Sequence, residues 1–386
     1  MRRKKLVIFC NDYRYFLAHR YPMFETLPES GVDVVAWCGG AFPGIPPCLT
    51  FPIRRYACDR YRFRPLLDLL LFFQMARTLI RERPDVVHTI TIKPNLFGGL
   101  AARLAALVTG NRPRLVMASP GLGRVFSNAG NDARATMRRR LIARMLRIGL
   151  SAQNSSVFFE NEDDRAVWVS ERIVPRERTE VIAGTGVDED VFHPVPDRPS
   201  PPALVVLYAG RLLRSKGILS FVEIARRMER TGPDIRFLVA GTHDRDDPDS
   251  VDITDLDMPR NLEVLGHVSH MPALVKKAHV ILLPTIYAEG LPRVLLEGAA
   301  MNCVLVASDI AGCRRTIIDG ENGYLLPLVD GDIDVANAAE RIAFLAENPD
   351  LVAEMGRRSR EHFLKNGFDI GAVRRQVHDI LFRDSR

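Results

Sequence analysis

A chain of 386 residues is too long for one ordinary core and fits two α/β domains joined by a connection. Hydrophobic residues at 47% and charged residues at 26% give the balance of a folded globular protein and exclude a disordered or disulfide-stapled one. The net charge of +6 hides an asymmetry: residues 1–150 carry 25 Lys and Arg against 9 Asp and Glu, and the remaining residues carry 28 against 38.

The opening MRRKKLVIF has the basic start of a signal peptide, but its apolar run ends at Asn11-Asp12, so Leu6–Phe9 reads as a buried first strand. Further apolar runs follow: VDVVAW from Val32, DVVH from Asp85, RLVMAS from Arg114, SVFFE from Ser156 and TEVIAG from Thr179. Helical stretches separate them, and that alternation predicts a doubly wound parallel sheet. Between the strands, LLDLLLFFQMA from Leu66 is about half the roughly 20 residues needed to span a bilayer. It is broken by Asp68 and Gln74, and no segment is expected to cross a membrane.

The stretch MRRRLIARMLRIGL from Met137 sets Arg138, Arg139, Arg140, Arg144 and Arg147 among Leu141, Ile142, Met145, Leu146 and Ile148. It reads as a basic amphipathic helix suited to an anionic membrane, or else as a core-packed helix with an Arg-rich outer face. The basic front part would also suit a diphosphate-bearing substrate. Nucleic acid is disfavoured, because no recognised module or aromatic ladder accompanies the charge.

Five prolines between Pro194 and Pro202 make a semi-rigid linker. The rhythm then restarts with ALVVLYAG from Ala203, IRFLVAG from Ile235, LEVLG from Leu262, HVILLP from His279 and CVLVAS from Cys303, predicting a second doubly wound sheet. The expected organisation is a Rossmann-like domain over 1–195, a linker over 196–202, a second Rossmann-like domain over 203–365, and a terminal helix within 366–386. Six cysteines (Cys10, Cys38, Cys48, Cys58, Cys303 and Cys313) lack CxxC spacing, so neither zinc site nor redox pair is signalled and reduced, cytoplasmic thiols are expected.

Ligands of parallel sheets sit at the carboxyl ends of the strands, so chemistry is sought in the loops that follow them. No GxGxxG follows the first strand, which argues against an NAD or FAD enzyme. EGLPRVLLE, from Glu289 to Glu297, follows HVILLP and enters a helix that Pro292 helps start. Amides near Gly290 and Leu291 would lie at a positive helix end, with Glu297 about 12 Å further on if the stretch is helical throughout. Glu297 suits the diol of a ribose and Glu289 a hexose; the bland alternative is two solvated glutamates. In YAGRLLRSKG, Arg211 and Lys216 flank a turn after ALVVLYAG, where two cations would neutralise a leaving diphosphate. HDRDDPD, from His243, mimics a metal-binding DxD but reads as a solvated turn, and no metal or other cofactor is expected.

These four residues resemble the R-x4-K and E-x7-E pairs of the retaining GT-B glycosyltransferases of family four. GTGVDEDVFHP from Gly184 and DIAGCRRTIIDGENGYLLP from Asp309 extend the resemblance over most of the chain. It implies two Rossmann-like domains facing a cleft, the terminal helix returning to the first domain, and closure of the domains on the donor. It also implies a donor site of Gly210, Arg211, Lys216, Gly266, Val268, Glu289, Gly290, Leu291 and Glu297. Retention would proceed without a stable covalent intermediate, the departing phosphate oxygen helping to deprotonate the acceptor.

RYFLAHR from Arg14, TIKPNLFGGLAARL from Thr91, PGLGRVF from Pro120 and FFENEDDR from Phe158 resemble a bacterial branch that extends polyprenyl-diphosphate-linked sugars, commonly with a UDP-N-acetylhexosamine and often UDP-N-acetylgalactosamine. That branch implies an acceptor side of Asn11, His19, Arg20, Lys93, Asn95, Gly121, Leu122 and Gly123, and a protein peripheral on the inner face of the cytoplasmic membrane. Where many relatives have a catalytic histidine, this chain has Ser119-Pro120-Gly121. His88, ending DVVH, is a candidate facing the cleft mouth, or else a structural histidine. Asn302 stands where relatives usually have Gly, which leaves the turn geometry there open. The rival readings are a GT-B nucleotide-sugar epimerase or phosphorylase, and a non-catalytic nucleotide-sugar sensor or scaffold.

Overall fold

The computed structural model describes residues 2–40, 48–60, 62–122, 126, 133–152, 154–194, 203–231, 234–245, 247–253 and 256–383. The proline-rich linker 196–202 and Gly123 lie outside the described residues. The chain divides into two units, Met1–Thr185 with Ile370–Arg386, and Gly186–Asp369.

The first unit holds seven strands: β1 (Lys4–Cys10), β2 (Val32–Cys38), β3 (Ile53–Arg55), β4 (Val86–Ile90), β5 (Arg114–Ser119), β6 (Ser155–Phe159) and β7 (Thr179–Val181). Their order is β3-β2-β1-β4-β5-β6-β7, all parallel. Strands β4 and β6 are buried along their whole length, because helices cover both faces of a parallel sheet. Those helices include α1 (Pro65–Glu82), α2 (Ile92–Thr109), α3 (Ala133–Gly149) and α4 (Glu162–Ser170). Helix α1 packs on α2 and α2 on α3, over a core that includes Leu71, Met75, Leu96, Met117, Leu146 and Phe159.

The second unit holds β8 (Leu204–Ala209), β9 (Ile235–Ala240), β10 (Leu262–Gly266), β11 (Val280–Leu283), β12 (Val304–Ser308) and β13 (Gly323–Leu326) in the order β10-β9-β8-β11-β12-β13, again parallel. Its helices include α5 (Ile218–Thr231), α6 (Arg293–Ala300), α7 (Val335–Glu347) and α8 (Pro349–Lys365). Both units are Rossmann-like and doubly wound.

The last helix, α9 (Ile370–Phe382), is a member of the first unit. Arg374 donates to the Pro22 carbonyl at 2.8 Å and pairs with Glu25, Arg114 donates to the Ile380 carbonyl at 3.0 Å, and Arg383 pairs with Glu180 at 2.6 Å.

Helix α6 ends in a Schellman motif: the amide of Cys303 donates to the Gly298 carbonyl at 2.9 Å and that of Asn302 to the Ala299 carbonyl at 3.2 Å. Asn302 takes the left-handed position at φ +57, which asparagine tolerates better than other residues with a Cβ. The turn geometry that Asn302 left open is therefore the usual one.

Candidate active site

In each sheet the strand order reverses once, and crevices form at such switch points beyond the carboxyl ends of the strands. In the second unit the switch lies between β8 and β11; the loop after β8 carries Arg211 and Lys216, and the loop after β11 carries Glu289 and leads into the helix that holds Glu297. After β8, Gly210 donates to the Ala240 carbonyl and the chain turns at Arg211–Gly217. Gly217 takes φ +77, and a Cβ there would stand 1.7 Å from the Pro284 carbonyl oxygen, so the two loops meet only because this residue has no side chain.

That contact brings Lys216 Nζ within 2.8 Å of Glu289 Oε1, in a pair whose side chains are 18% and 13% exposed. The guanidinium of Arg211 and the ammonium of Lys216 both lie over the ring of Tyr287, at 5.9 and 6.0 Å from its centroid. Tyr208 Oη donates to the Arg211 carbonyl at 2.9 Å. The amides of Ile286 and Tyr287 both donate to the Ser215 carbonyl at 2.8 Å, which locks the loop bearing Glu289 to the turn bearing Lys216.

Glu297 lies in the second turn of α6. The helix begins only at Arg293, after an extended Pro292, so the 12 Å spacing expected for a continuous helix does not apply. Arg293 Nε donates to Glu297 Oε1 at 2.8 Å. Burial raises the Glu297 carboxyl above its ordinary range, and the Arg293 charge and hydrogen bond pull the other way. Gly290 and Leu291 are buried between β11 and α6. Gly266 ends β10 at φ +65, and Val268 follows it, half-buried.

In the acidic segment from His243, expected as a solvated turn, His243, Arg245 and Pro248 are exposed but Asp247 is not. Asp247 is nearly buried and pairs with Arg211, Nη1 to Oδ2 at 2.9 Å, while Asp249 accepts from the Ser215 amide at 3.2 Å and from its hydroxyl. A buried carboxylate needs such partners, and the neighbouring turn supplies them. Among the described residues, no group of three or more His, Cys, Asp or Glu side chains is arranged to hold a metal ion.

In the first unit the switch lies between β1 and β4. Asn11 and the π-helical turn Phe16–Arg20, with a half-buried His19, follow β1; Lys93 and Asn95 follow β4 at the start of α2; Gly121 and Leu122 follow β5. Of the residues expected on the acceptor side, Arg20 and Lys93 are both held in buried ion pairs. Arg20 is buried in a pair with Glu160, Nη2 to Oε1 at 2.5 Å, and donates twice to Tyr15 Oη. Burial opposes its charge, but Tyr15 and Glu160 outweigh that and raise its pKa. Lys93 Nζ is buried against Asp68 Oδ1 at 2.8 Å and the Arg62 carbonyl at 2.6 Å. Asn95 is likewise spent, accepting from Thr89 and donating to Ala118. These groups order the crevice loops instead of facing outward. Thr91, with φ +75 and a buried hydroxyl, is a strained residue at the same edge that the sequence pattern did not flag.

Of the two readings of His88, the structure favours the structural one over the candidate facing the cleft mouth. Strand β4 continues two residues past it, and its ring is 1% exposed, stacked on Phe158 at 5.4 Å and bonded through Nδ1 to the Val116 carbonyl at 2.9 Å. Burial lowers its pKa to about 3, with the Val116 bond opposing and the Arg20 charge assisting. It is a neutral core residue, remote from solvent and from proton transfer with a ligand.

The fold is similar to that of Anabaena HepE, solved in complex with UDP: the TM-score is 0.75 at 17% identity, over 98% of this chain and 99% of that one. Fold and site together define a GT-B protein. Residues 19–185 match the family model described as glycosyl transferase 4-like domain, and residues 196–362 the model described as glycosyl transferases group 1. The chain belongs to the group 1 glycosyltransferases, with a 4-like N-terminal domain. Among its relatives, the Escherichia coli UDP-Gal:alpha-D-GlcNAc-diphosphoundecaprenol alpha-1,3-galactosyltransferase is 24% identical over 90% of this chain and 88% of its own. The Campylobacter jejuni subsp. jejuni N,N'-diacetylbacillosaminyl-diphospho-undecaprenol alpha-1,3-N-acetylgalactosaminyltransferase is 23% identical over 83% of each.

Proposed function

We propose that this glycosyltransferase moves a hexose or N-acetylhexosamine, with retention, from a UDP-sugar to a polyprenyl-diphosphate-linked saccharide. The observation that carries the reading is the meeting of Arg211, Lys216 and Glu289 at the β8–β11 switch point. Two cations beside a carboxylate fit a sugar diphosphate: the cations take up the charge that grows on the leaving group, and the carboxylate accepts from sugar hydroxyls. The names of both relatives, which include a diphospho-undecaprenol-linked sugar, support the acceptor class.

In the proposed reaction the bond from the anomeric carbon to the UDP oxygen breaks, and the acceptor oxygen bonds to that carbon on the same face. The acceptor proton passes to the departing phosphate oxygen, so the products are a glycosidic bond and UDP. With Arg211 and Lys216 as counter-charges, the reaction is proposed to need no metal. Its place is proposed to be the inner face of the cytoplasmic membrane. Among the described residues no helix is long and apolar enough to cross a membrane, so attachment is assigned to the surface of the first unit.

That surface is more apolar than the sequence suggests. The outer stripe of α1 exposes Leu66, Leu69, Leu70 and Phe73 over its first turns and Arg77 and Arg81 over its last. Two packed helices away, α3 exposes Met137, Leu141 and Ile148 among Arg138, Arg140 and Arg144. Apolar side chains backed by arginines match an anionic lipid surface.

The test is to incubate the protein with a panel of UDP- and GDP-sugars and a polyprenyl-diphosphate-sugar and to weigh the products. UDP release with an acceptor heavier by one sugar is the expected result, and the anomeric coupling constant of the product reports retention. A free epimerised sugar, or bound UDP-sugar without UDP release, would replace the proposal by an epimerase or a sensor.

A further inference from the structure

We infer that Asp247 and Asp249 are positioning residues of the donor site, holding Arg211 and the turn that carries Lys216 ready for a diphosphate; the inference rests on the donor reading above. The Asp247 side chain is 3% exposed, while that of Arg211 is 32% exposed. The acid is thus a fixed wall and the guanidinium a group at the surface of the crevice. Arg211 donates to Asp247 through Nη1 alone, and among the described residues its Nε and Nη2 have no other hydrogen-bond acceptor. A guanidinium presents its donors in a planar fork, so fixing one edge orients the others without discharging the cation.

The second half of the frame runs through the backbone. Asp247 Oδ1 accepts from the Asp249 amide at 3.1 Å, and the Asp249 carboxylate accepts from the amide and hydroxyl of Ser215. The Asp249 carbonyl accepts from the Arg214 amide at 2.9 Å, and Val251 donates to the Leu212 carbonyl at 2.7 Å. Since the Ser215 carbonyl in turn holds Ile286 and Tyr287, one chain of bonds joins Asp247 to the loop that ends at Glu289. The loop after β9 therefore sets the geometry of both loops at the switch point. An arginine left unheld would have to be ordered when the anion binds, and that entropy would be taken from the affinity.

A double-mutant cycle on the full chain tests this, with UDP as the probe, calorimetry as the readout, and about 0.3 M salt to damp long-range attraction. Asp247→Ala should weaken UDP about fivefold when Arg211 is present. In an Arg211→Ala background the same change should alter affinity less than about twofold, because Asp247 acts through Arg211. A general structural role would weaken UDP equally in both backgrounds. Should Asp247→Ala not fold, Asp247→Ser, too short to reach the guanidinium, carries the same cycle. Wild-type protein that binds no UDP overturns the donor reading and the inference with it. Wild-type protein that binds UDP, with Asp247→Ala neutral or equally harmful in both backgrounds, overturns the inference alone.

Discussion

Lys216 and Glu289, 73 positions apart in the chain, form a 2.8 Å ion pair at the point where the second sheet reverses its strand order. The pair is only partly exposed, so each charge depends on the other until a ligand intervenes. In the proposed reaction a diphosphate would take the lysine from this pair while sugar hydroxyls take the glutamate.

Lys216→Ala and Glu289→Ala should each lower turnover by about a hundred- to a thousandfold, the range found when one preorganised charge partner is removed. The double variant should be little worse than either single one, because the two act as a unit. UDP release in the presence of a lipid-linked acceptor measures this; full activity in either single variant would remove the pair from the mechanism.

His88 predicts a pH dependence of stability. Its pKa falls from 6.5 unfolded to about 3 folded, so the unfolded chain binds the extra proton between those values. Stability from the neutral, buried ring is complete above 6.5 and is lost as pH falls toward 3, by at most about 1.4 kcal/mol per pH unit. Asp164 acts oppositely: burial raises its carboxyl from 3.8 to about 7, so its contribution is lost as pH rises through that window. The comparison is therefore wild type against His88→Leu, by thermal unfolding at several pH values. The wild type should lose stability relative to the variant below pH 6.5, and parallel profiles would contradict the assignment.

Asn302 predicts a difference between substitutions. Asn302→Gly should leave stability within about 0.5 kcal/mol, since glycine takes the same left-handed position without strain. Asn302→Val should cost about 1–2 kcal/mol, because a β-branched side chain clashes there. Denaturant midpoints distinguish the two; equal costs would mean that the φ of +57 is not what the position selects for.

The apolar stripe of α1 predicts membrane binding. Co-sedimentation with phosphatidylglycerol vesicles should fall at least about tenfold when Leu66, Leu70 and Phe73 are all changed to Ser, given about 1 kcal/mol or more for each buried side chain. Neutral phosphatidylcholine vesicles should bind the wild type less well. Unchanged sedimentation, or a variant that only converts a dimer to a monomer, would assign the stripe to another partner.

Both sheets were readable in the chain because a parallel strand buried on both faces is a short apolar run, and Leu6–Phe9 or Val280–Leu283 needs no distant information to be seen as one. The donor loops were readable for a related reason: Arg211, Lys216, Glu289 and Glu297 follow strand ends at fixed spacing. The family resemblance named Arg20 and Lys93, and the end of DVVH named His88, but whether a charge faces a ligand or a buried partner depends on residues far away in the chain. His88 looked like a strand end because DVVH is followed by the polar Thr89, which the sheet buries all the same.

The acidic segment from His243 shows the boundary most clearly. Local composition marks it as a solvated turn, and nothing nearby in sequence calls for Asp247 to be buried. Its partner Arg211 lies on the neighbouring strand's loop, and only the packing of β8 beside β9 brings them together. The sequence alone determined where strands lie and which loops hold the charged pairs, since apolar periodicity and turn residues are local properties. The tertiary structure alone decided which of those charges are exposed and which are consumed, because desolvation and pairing depend on every element that closes around a side chain.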